Sequence, residues 1–231
     1  MPTDPTFAPA TPPPVQSAVA SRPSRGPRSS LLIVAGLALV SLVCWLGWGR
    51  LHAYRPFARE VFTDPKPAPD FHLTDQNGRP LSLANLRGKL VLLTFGYTHC
   101  PNICPMTLAN LNQAFSLLKP EQRSQVQVVF ISVDPHRDTQ AQLLGYVPFY
   151  NPSFLGATSS ISEIARVARA YGVFYAADAP SNPAKPDSYN VTHSAYVYLI
   201  DKHGRWTALY ENKQLFESAK LAADLVYFSK E

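Results

Sequence analysis

Two cysteines with three residues between them, Cys100 and Cys104, stand in the stretch FGYTHCPNICPMTL. An apolar run precedes them and Pro105 follows, which places both thiols in the loop between a strand and the start of a helix. Orphan backbone N–H groups and the positive end of the helix dipole collect there and favour thiolate over thiol. Both cysteines are therefore expected to have lowered pKa values and to be reactive or metal-binding. The spacing lets the sulfurs converge, either as a disulfide or on one metal ion. Redox enzymes with a thiol pair in such a loop usually carry C-x-x-C. The additional residue here widens the loop and leaves room for a metal. Two thiolates suit Cu(I), a soft ion, and an imidazole would complete a trigonal site able to hold Cu(II) as well. Of the six histidines, His193 is the best candidate, because it follows the loop SYNVT and stands just before the strand-like run AYVYLI, with only Ser194 between.

The elements that must position these residues can be read from pattern. HLTDQNGRPLSL has the Asn77-Gly78 turn signal between short alternating arms and reads as a β-hairpin. KLVLLTFGY, residues 89–97, is a continuous apolar run of the kind that forms a central strand covered on both faces. Pro105 suits the first helical position, and the helix it opens carries Leu108, Leu111, Phe115 and Leu118 on one face. VQVVFISV, residues 126–133, reads as a second buried strand. Residues 139–147 and 161–170 read as helices divided by the Asn151-Pro152 turn. Strands over 195–200 and 206–210 flank the turn 201–205, and a last helix runs from about Gln214 to Phe228. Strand–helix–strand at the front forces a parallel crossover, while the closing pair is antiparallel. The fold class is α/β: a thioredoxin-like mixed sheet flanked by helices, with an N-terminal hairpin.

Ahead of this domain, assigned to 66–231, the composition changes twice. Residues 1–30 hold eight of the 22 prolines and no hydrophobic period, which reads as a disordered tail. Residues 31–48 (LLIVAGLALVSLVCWLGW) carry no charge and, as a helix, would span roughly 27 Å, close to the hydrocarbon thickness of a bilayer. No small-x-small cleavage site follows, so the segment reads as an uncleaved transmembrane anchor, with 49–65 as linker. Arginines lie on both sides of it, so the positive-inside rule does not orient the domain. The net charge of +5 owes much to these flanks. The domain has no basic run with interleaved aromatics, which argues against nucleic-acid binding. Three cysteines are too few for a disulfide scaffold.

GYTHCPNICP, then ISVDPHRDT (131–139), then YNVTHSAYVYLID (189–201) occur in order, together with one N-terminal anchor. In these blocks the chain resembles the Sco/SenC family of copper chaperones for cytochrome c oxidase assembly, from Ala68 onward. The resemblance implies copper ligation by Cys100, Cys104 and His193. It implies delivery of copper to the dinuclear centre of oxidase subunit II, or thiol reduction of that centre. It also implies an extracytoplasmic domain on an inner membrane, in a bacterial periplasm or a mitochondrial intermembrane space. The chain departs from many relatives at Asn102 and Thr192, where they carry Asp, so two fewer negative charges lie near the site.

Other residues receive plainer readings. His99 adjoins Cys100 but points apart from it, His203 sits in a turn, and His72, His136 and His52 have no evident partner. Asp134, Arg137 and Asp138 read as a local ion-pair and capping group, with Asp138 or Thr139 as the cap of the next helix. Tyr189, Tyr196 and Tyr198 read as packing residues. A metal-binding assembly factor without turnover is the leading expectation, and a thiol–disulfide oxidoreductase using Cys100 and Cys104 is the alternative. A peroxidase would need an Arg beside its thiol, which the Cys loop does not supply.

Overall fold

The computed structural model describes residues 27–51 and 54–230, with side chains of the first helix given for 32–45. The expected Pro-rich tail lies outside the described residues up to position 26. The chain divides into two units, residues 1–53 and 54–231. In the first, helix α1 (Pro27–Leu51, 25 residues) contains the uncharged run. Its described side chains are exposed on consecutive positions, with Leu32 at 74% and Ile33 and Val34 above half. Those described side chains cover about 21 Å of helix. Among the described residues no helix is long and apolar enough to cross a membrane.

The second unit is built on an eight-stranded sheet, counted among the described residues, in the spatial order β1 (Glu60–Val61), β10 (Trp206–Glu211), β9 (Tyr196–Ile200), β4 (Leu90–Gly96), β5 (Val126–Ser132), β6 (Leu155–Thr158), β2 (Leu73–Asp75), β3 (Pro80–Leu81). At its centre β4 (Leu90–Gly96) is buried at every position, as the unbroken apolar run requires. It runs parallel to β5 (Val126–Ser132), with Leu90 opposite Val126 and Gly96 opposite Ser132. On its other side β4 pairs antiparallel with β9 (Tyr196–Ile200), and β9 pairs with β10 (Trp206–Glu211). Beyond β5 lie β6 (Leu155–Thr158), then the hairpin β2 (Leu73–Asp75) and β3 (Pro80–Leu81). Gly78 takes φ +78° in the hairpin turn, a conformation that favours glycine.

Alternation along β4 sorts the helices. Phe95 packs against Tyr171, at the end of α5 (Ile161–Ala170), and against Tyr198. Gly96 faces the other way, toward Cys104 of α2 (Ile103–Ser116) and Phe130, which in turn packs on Tyr146 of α4 (Gln140–Tyr150). Helices therefore cover both faces, in the thioredoxin-like arrangement expected. Leu108, Leu111 and Phe115 form the buried face of α2, with Leu118 buried just past its end, ahead of the single-turn helix α3 (Pro120–Arg123).

Several boundaries differ from the sequence reading. Helix α2 begins at Ile103, so Pro105 occupies its third position and Cys104 lies inside the first turn. The fit is physical, because first-turn N–H groups have no intrahelical acceptor and proline forfeits nothing there. Thr139 caps α4 through its hydroxyl, which accepts from the Gln142 N–H. The last helix is split into a 3-10 turn (Asn212–Phe216) and α6 (Ser218–Phe228). Strand β6 was not anticipated, and neither was the separate two-stranded ribbon of β7 (Tyr175–Ala177) and β8 (Val191–His193).

The later half of the expected linker belongs to the domain. β1 (Glu60–Val61) pairs with β10 at the sheet edge. The fully buried Asp224 of α6 accepts hydrogen bonds from the Tyr54 hydroxyl, the Phe57 and Ala58 N–H groups, and the Tyr210 hydroxyl. A buried carboxylate without a cation is tolerated because donors surround it.

Candidate metal centre

The Cys loop leaves the end of β4 and enters α2 within six residues, from Tyr97 to Asn102. Its backbone is pinned at both ends. The Cys100 N–H reaches the Tyr97 carbonyl at 3.3 Å. One residue on from Tyr97, the Thr98 N–H and hydroxyl both donate to Asp138, at 2.9 and 2.6 Å. The same carboxylate accepts from Ser132 at the end of β5, at 2.6 Å, and is fully buried. Of the two expected cap candidates Thr139 is the cap, and Asp138 instead ties the Cys loop to the neighbouring strand. Gly96 makes this close approach possible: a Cβ there would lie 2.6 Å from both the Cys104 sulfur and the Phe130 ring.

His193 arrives from the opposite direction. It is the last residue of β8 and pairs with Tyr175 of β7, so a ribbon presents it, where the sequence reading had a loop. Its Nδ1 lies 3.0 Å from the Ser194 carbonyl. A carbonyl only accepts, so Nδ1 carries a proton, and in the neutral ring Nε2 is then the nitrogen with the lone pair. That Nε2 faces the Cys104 sulfur at 3.4 Å. The Tyr97 ring stands edge-on to the imidazole, with centroids 5.8 Å apart.

Cys100, Cys104 and His193 therefore meet, their ligand atoms all within 4.8 Å of one another. An ion bonded at about 2.0–2.3 Å to three ligands in a trigonal array needs them about 3.5–4 Å apart. The widest of the separations needs to close by roughly 1 Å and the 3.4 Å Cys104–His193 approach to open slightly, and two sulfurs with one imidazole are a donor set for a soft or borderline metal. The residues present fit such an ion.

The two thiols are free and differ in character. Cys100, half-buried, has its pKa lowered to about 3, first by a hydrogen bond from Cys104, then by His193 and the backbone N–H groups of Cys104 and Asn102, against the opposing effect of burial. Cys104, 2% exposed, is pushed the other way by its hydrogen bond to Cys100, by burial and by the nearby Cys100 charge. The sequence expectation that both would be lowered holds for one only. Two thiolates this close repel, and the buried sulfur keeps the proton.

The remaining histidines stay outside. His99 is exposed and turned to the Thr98 hydroxyl and Asp138. His136 pairs with Asp187 on the surface, and His72 and His203 are exposed. His52 lies outside the described residues. Asn102 and Thr192 are both exposed at the rim. Arg137 and Asp134 form the expected ion pair, but it is buried and faces Tyr189, whose ring lies 3.6 Å from the guanidinium. Its side chains come from the block DPHRD after a buried strand, the one signal in the sequence that pointed there.

A protein-family model described as SCO1/SenC matches residues 63–228. The bovine "Protein SCO2 homolog, mitochondrial" is 43% identical over 150 residues, which is 64% of this chain and 55% of that protein. The chain thus spans about half the length of that curated relative. Among solved structures, apo Sco1 from Thermus thermophilus aligns with a TM-score of 0.68 and 35% identity, over 76% of this chain and 98% of that one. The structure of Bradyrhizobium japonicum ScoI with copper bound aligns with a TM-score of 0.62 and 34% identity, over 70% and 99%.

Proposed function

The chain belongs to the SCO1/SenC family, and from that premise we propose that it carries copper on Cys100, Cys104 and His193 as cargo for cytochrome c oxidase assembly. The observation that carries this reading is the convergence of two sulfurs and one imidazole lone pair within 4.8 Å, on a domain similar to a copper-bound relative. Cys100 offers a ready thiolate, Cys104 gives up its proton on loading, and His193 presents Nε2 in the tautomer that can ligate. Copper held by the two thiolates alone is Cu(I)-like, and the imidazole extends the site to Cu(II). Cys100 and the rim around it are partly exposed, so a client site can approach the ion directly. The client in this reading is the dinuclear copper centre of oxidase subunit II, and the protein acts without catalytic turnover.

In the same reading α1 anchors the chain in an inner membrane, with the domain on the extracytoplasmic side. Support comes from the uncharged 31–48 run within a 25-residue helix and from apolar side chains exposed at successive positions, a pattern with no polar face. Retention of the full chain in the membrane pellet after alkaline carbonate extraction is the expected result, and release into the supernatant removes the anchor.

Titrating Cu(I) and Cu(II) into the purified full chain and its Cys100→Ala, Cys104→Ala and His193→Ala variants tests the copper reading. One ion per chain, with sulfur-to-copper charge-transfer absorption lost in all three variants for Cu(II), is the expected outcome. A native protein that takes up neither valency ends the proposal. The second reading, thiol–disulfide exchange, is favoured by the thiolate of Cys100 lying beside the protonated Cys104, an attacking and a resolving thiol. It needs no imidazole, so full disulfide exchange by His193→Ala, together with absent copper binding by the native chain, would replace the first reading with the second.

A further inference from the structure

The turn after β5 touches both halves of the site. Asp138 holds the Cys loop through Thr98. Four residues earlier, Asp134 accepts from the Tyr189 hydroxyl at 2.9 Å and pairs with Arg137. The Arg137 guanidinium, whose side chain is 7% exposed, donates to the carbonyls of Asp187 and Tyr189 at 2.9 and 2.8 Å and stacks on the Tyr189 ring. It also lies 5.7 Å from the centroid of Tyr97, the ring that stands against His193. Tyr189 precedes His193 by four residues, and residues 176–187 on the other side of it are exposed. The segment that leads into β8 is thus fastened to the rest of the domain by the Arg137 guanidinium, which holds two of its carbonyls and one ring, together with the Tyr189 hydroxyl on Asp134, the surface pair His136–Asp187 and the buried Val191.

We infer that Arg137 is a positioning residue: it fixes the segment from which His193 is delivered, and so sets the three-ligand Cu(II) form of the site while leaving the two-thiolate form to the Cys loop. The inference rests on the copper reading for its metal readout but not for its structural one. The guanidinium fork reaches two carbonyls through Nη1 and Asp134 through Nε while its plane lies over the Tyr189 ring, a combination that the point-like ammonium of a lysine does not reproduce. Arg137→Lys keeps the charge that neutralises buried Asp134 and removes only the fork, so it separates positioning from mere burial of a cation.

The test compares native protein, Arg137→Lys, Tyr189→Leu and His193→Ala as full chains. In the metal-free state, amide hydrogen exchange over 187–193 is expected to quicken by about tenfold or more in the first two variants, with exchange over β4 and α2 unchanged. With metal, Arg137→Lys is expected to lower Cu(II) affinity by about 10- to 100-fold and to shift the charge-transfer band toward that of His193→Ala, with Cu(I) affinity falling less than about threefold. Unchanged exchange over 187–193 in both variants overturns the inference, whether or not the protein takes up copper. Equal losses of Cu(I) and Cu(II) affinity, tracking a lower unfolding midpoint, overturn it as well, since they mark a general structural role. A native chain that binds neither valency would end the copper reading, while the exchange result still decides the role of Arg137.

Discussion

The cysteines ride on the most deeply packed part of the domain, whereas His193 comes from a ribbon that pairs only with itself. Every residue of β4 is buried, α2 begins within the Cys loop, and Asp138 locks that loop to β5. The β7–β8 ribbon contributes one buried position, Val191, and most of the chain joining its strands is exposed. The thiols are placed by the fold itself, and the imidazole by a few side-chain contacts. A site built in this way keeps two ligands in fixed register and leaves the third adjustable. That suits a carrier that must hold its ion and also surrender it, since the third ligand sits on a short ribbon with a single buried position.

The comparison can be broken most sharply at the rigid limb. Cys104→Ser removes the buried sulfur and is expected to abolish uptake of both valencies, measured as copper retained after gel filtration. Retained Cu(I) would show that the rigid limb is not the principal holder.

Next in size is an effect on reactivity. A free thiol, with a pKa of about 8.5, loses alkylation rate about tenfold per unit as pH falls, or on the order of a thousandfold between pH 8 and pH 5. Cys100, lowered to about 3, is a thiolate across that whole range, so its alkylation by iodoacetamide should fall less than about twofold. The sign is testable within the pair: Cys104→Ala deletes the hydrogen bond that contributes most and should raise the Cys100 pKa.

A smaller effect is expected from Gly96→Ala. The new methyl would meet the Cys104 sulfur and the Phe130 ring at 2.6 Å. Overpacking of this kind costs about 1–3 kcal/mol and should appear as a lower denaturant midpoint. Because it acts on the rigid limb, affinity for Cu(I) and Cu(II) should fall together. The smallest effect belongs to the exposed rim of the adjustable limb, where Thr192→Asp adds a charge beside His193. Exposed charges contribute modestly, so Cu(II) affinity should rise by about two- to fivefold with Cu(I) unchanged, read by chelator competition.

The same contrast governs what was legible in the sequence. Cys100 and Cys104 could be read because their neighbours state their context: an unbroken apolar strand before and a proline after. The central strands and the buried face of α2 followed from period alone. His193 was singled out by its place ahead of the run AYVYLI and gained weight from the likeness of three sequence blocks to a known family, but its ribbon went unread, because Tyr-Ala-Ala and Val-Thr-His are three residues a side with no period to detect. Strand β6 escaped for a related reason: Leu-Gly-Ala-Thr has weak strand propensity and is held by its neighbours β5 and β2. The start of α2 was misplaced because proline was read at the first helical position, when any position of the first turn accepts it. The paired roles of Asp138 and Arg137 needed coordinates, since a local ion pair and a long-range clamp look identical in DPHRD.

The Asp224 clasp carries a consequence for how the chain is made. Phe57 and Ala58 leave the ribosome some 166 residues before the carboxylate that receives their N–H groups. At ordinary rates of synthesis that interval is roughly 8–30 seconds. Throughout it the edge that β1 will cover has no closure, so the domain seals only when its last helix is complete. A chain interrupted just short of Asp224 would hold every ligand of the metal centre and still lack the latch that fastens residues 54–58 to the domain.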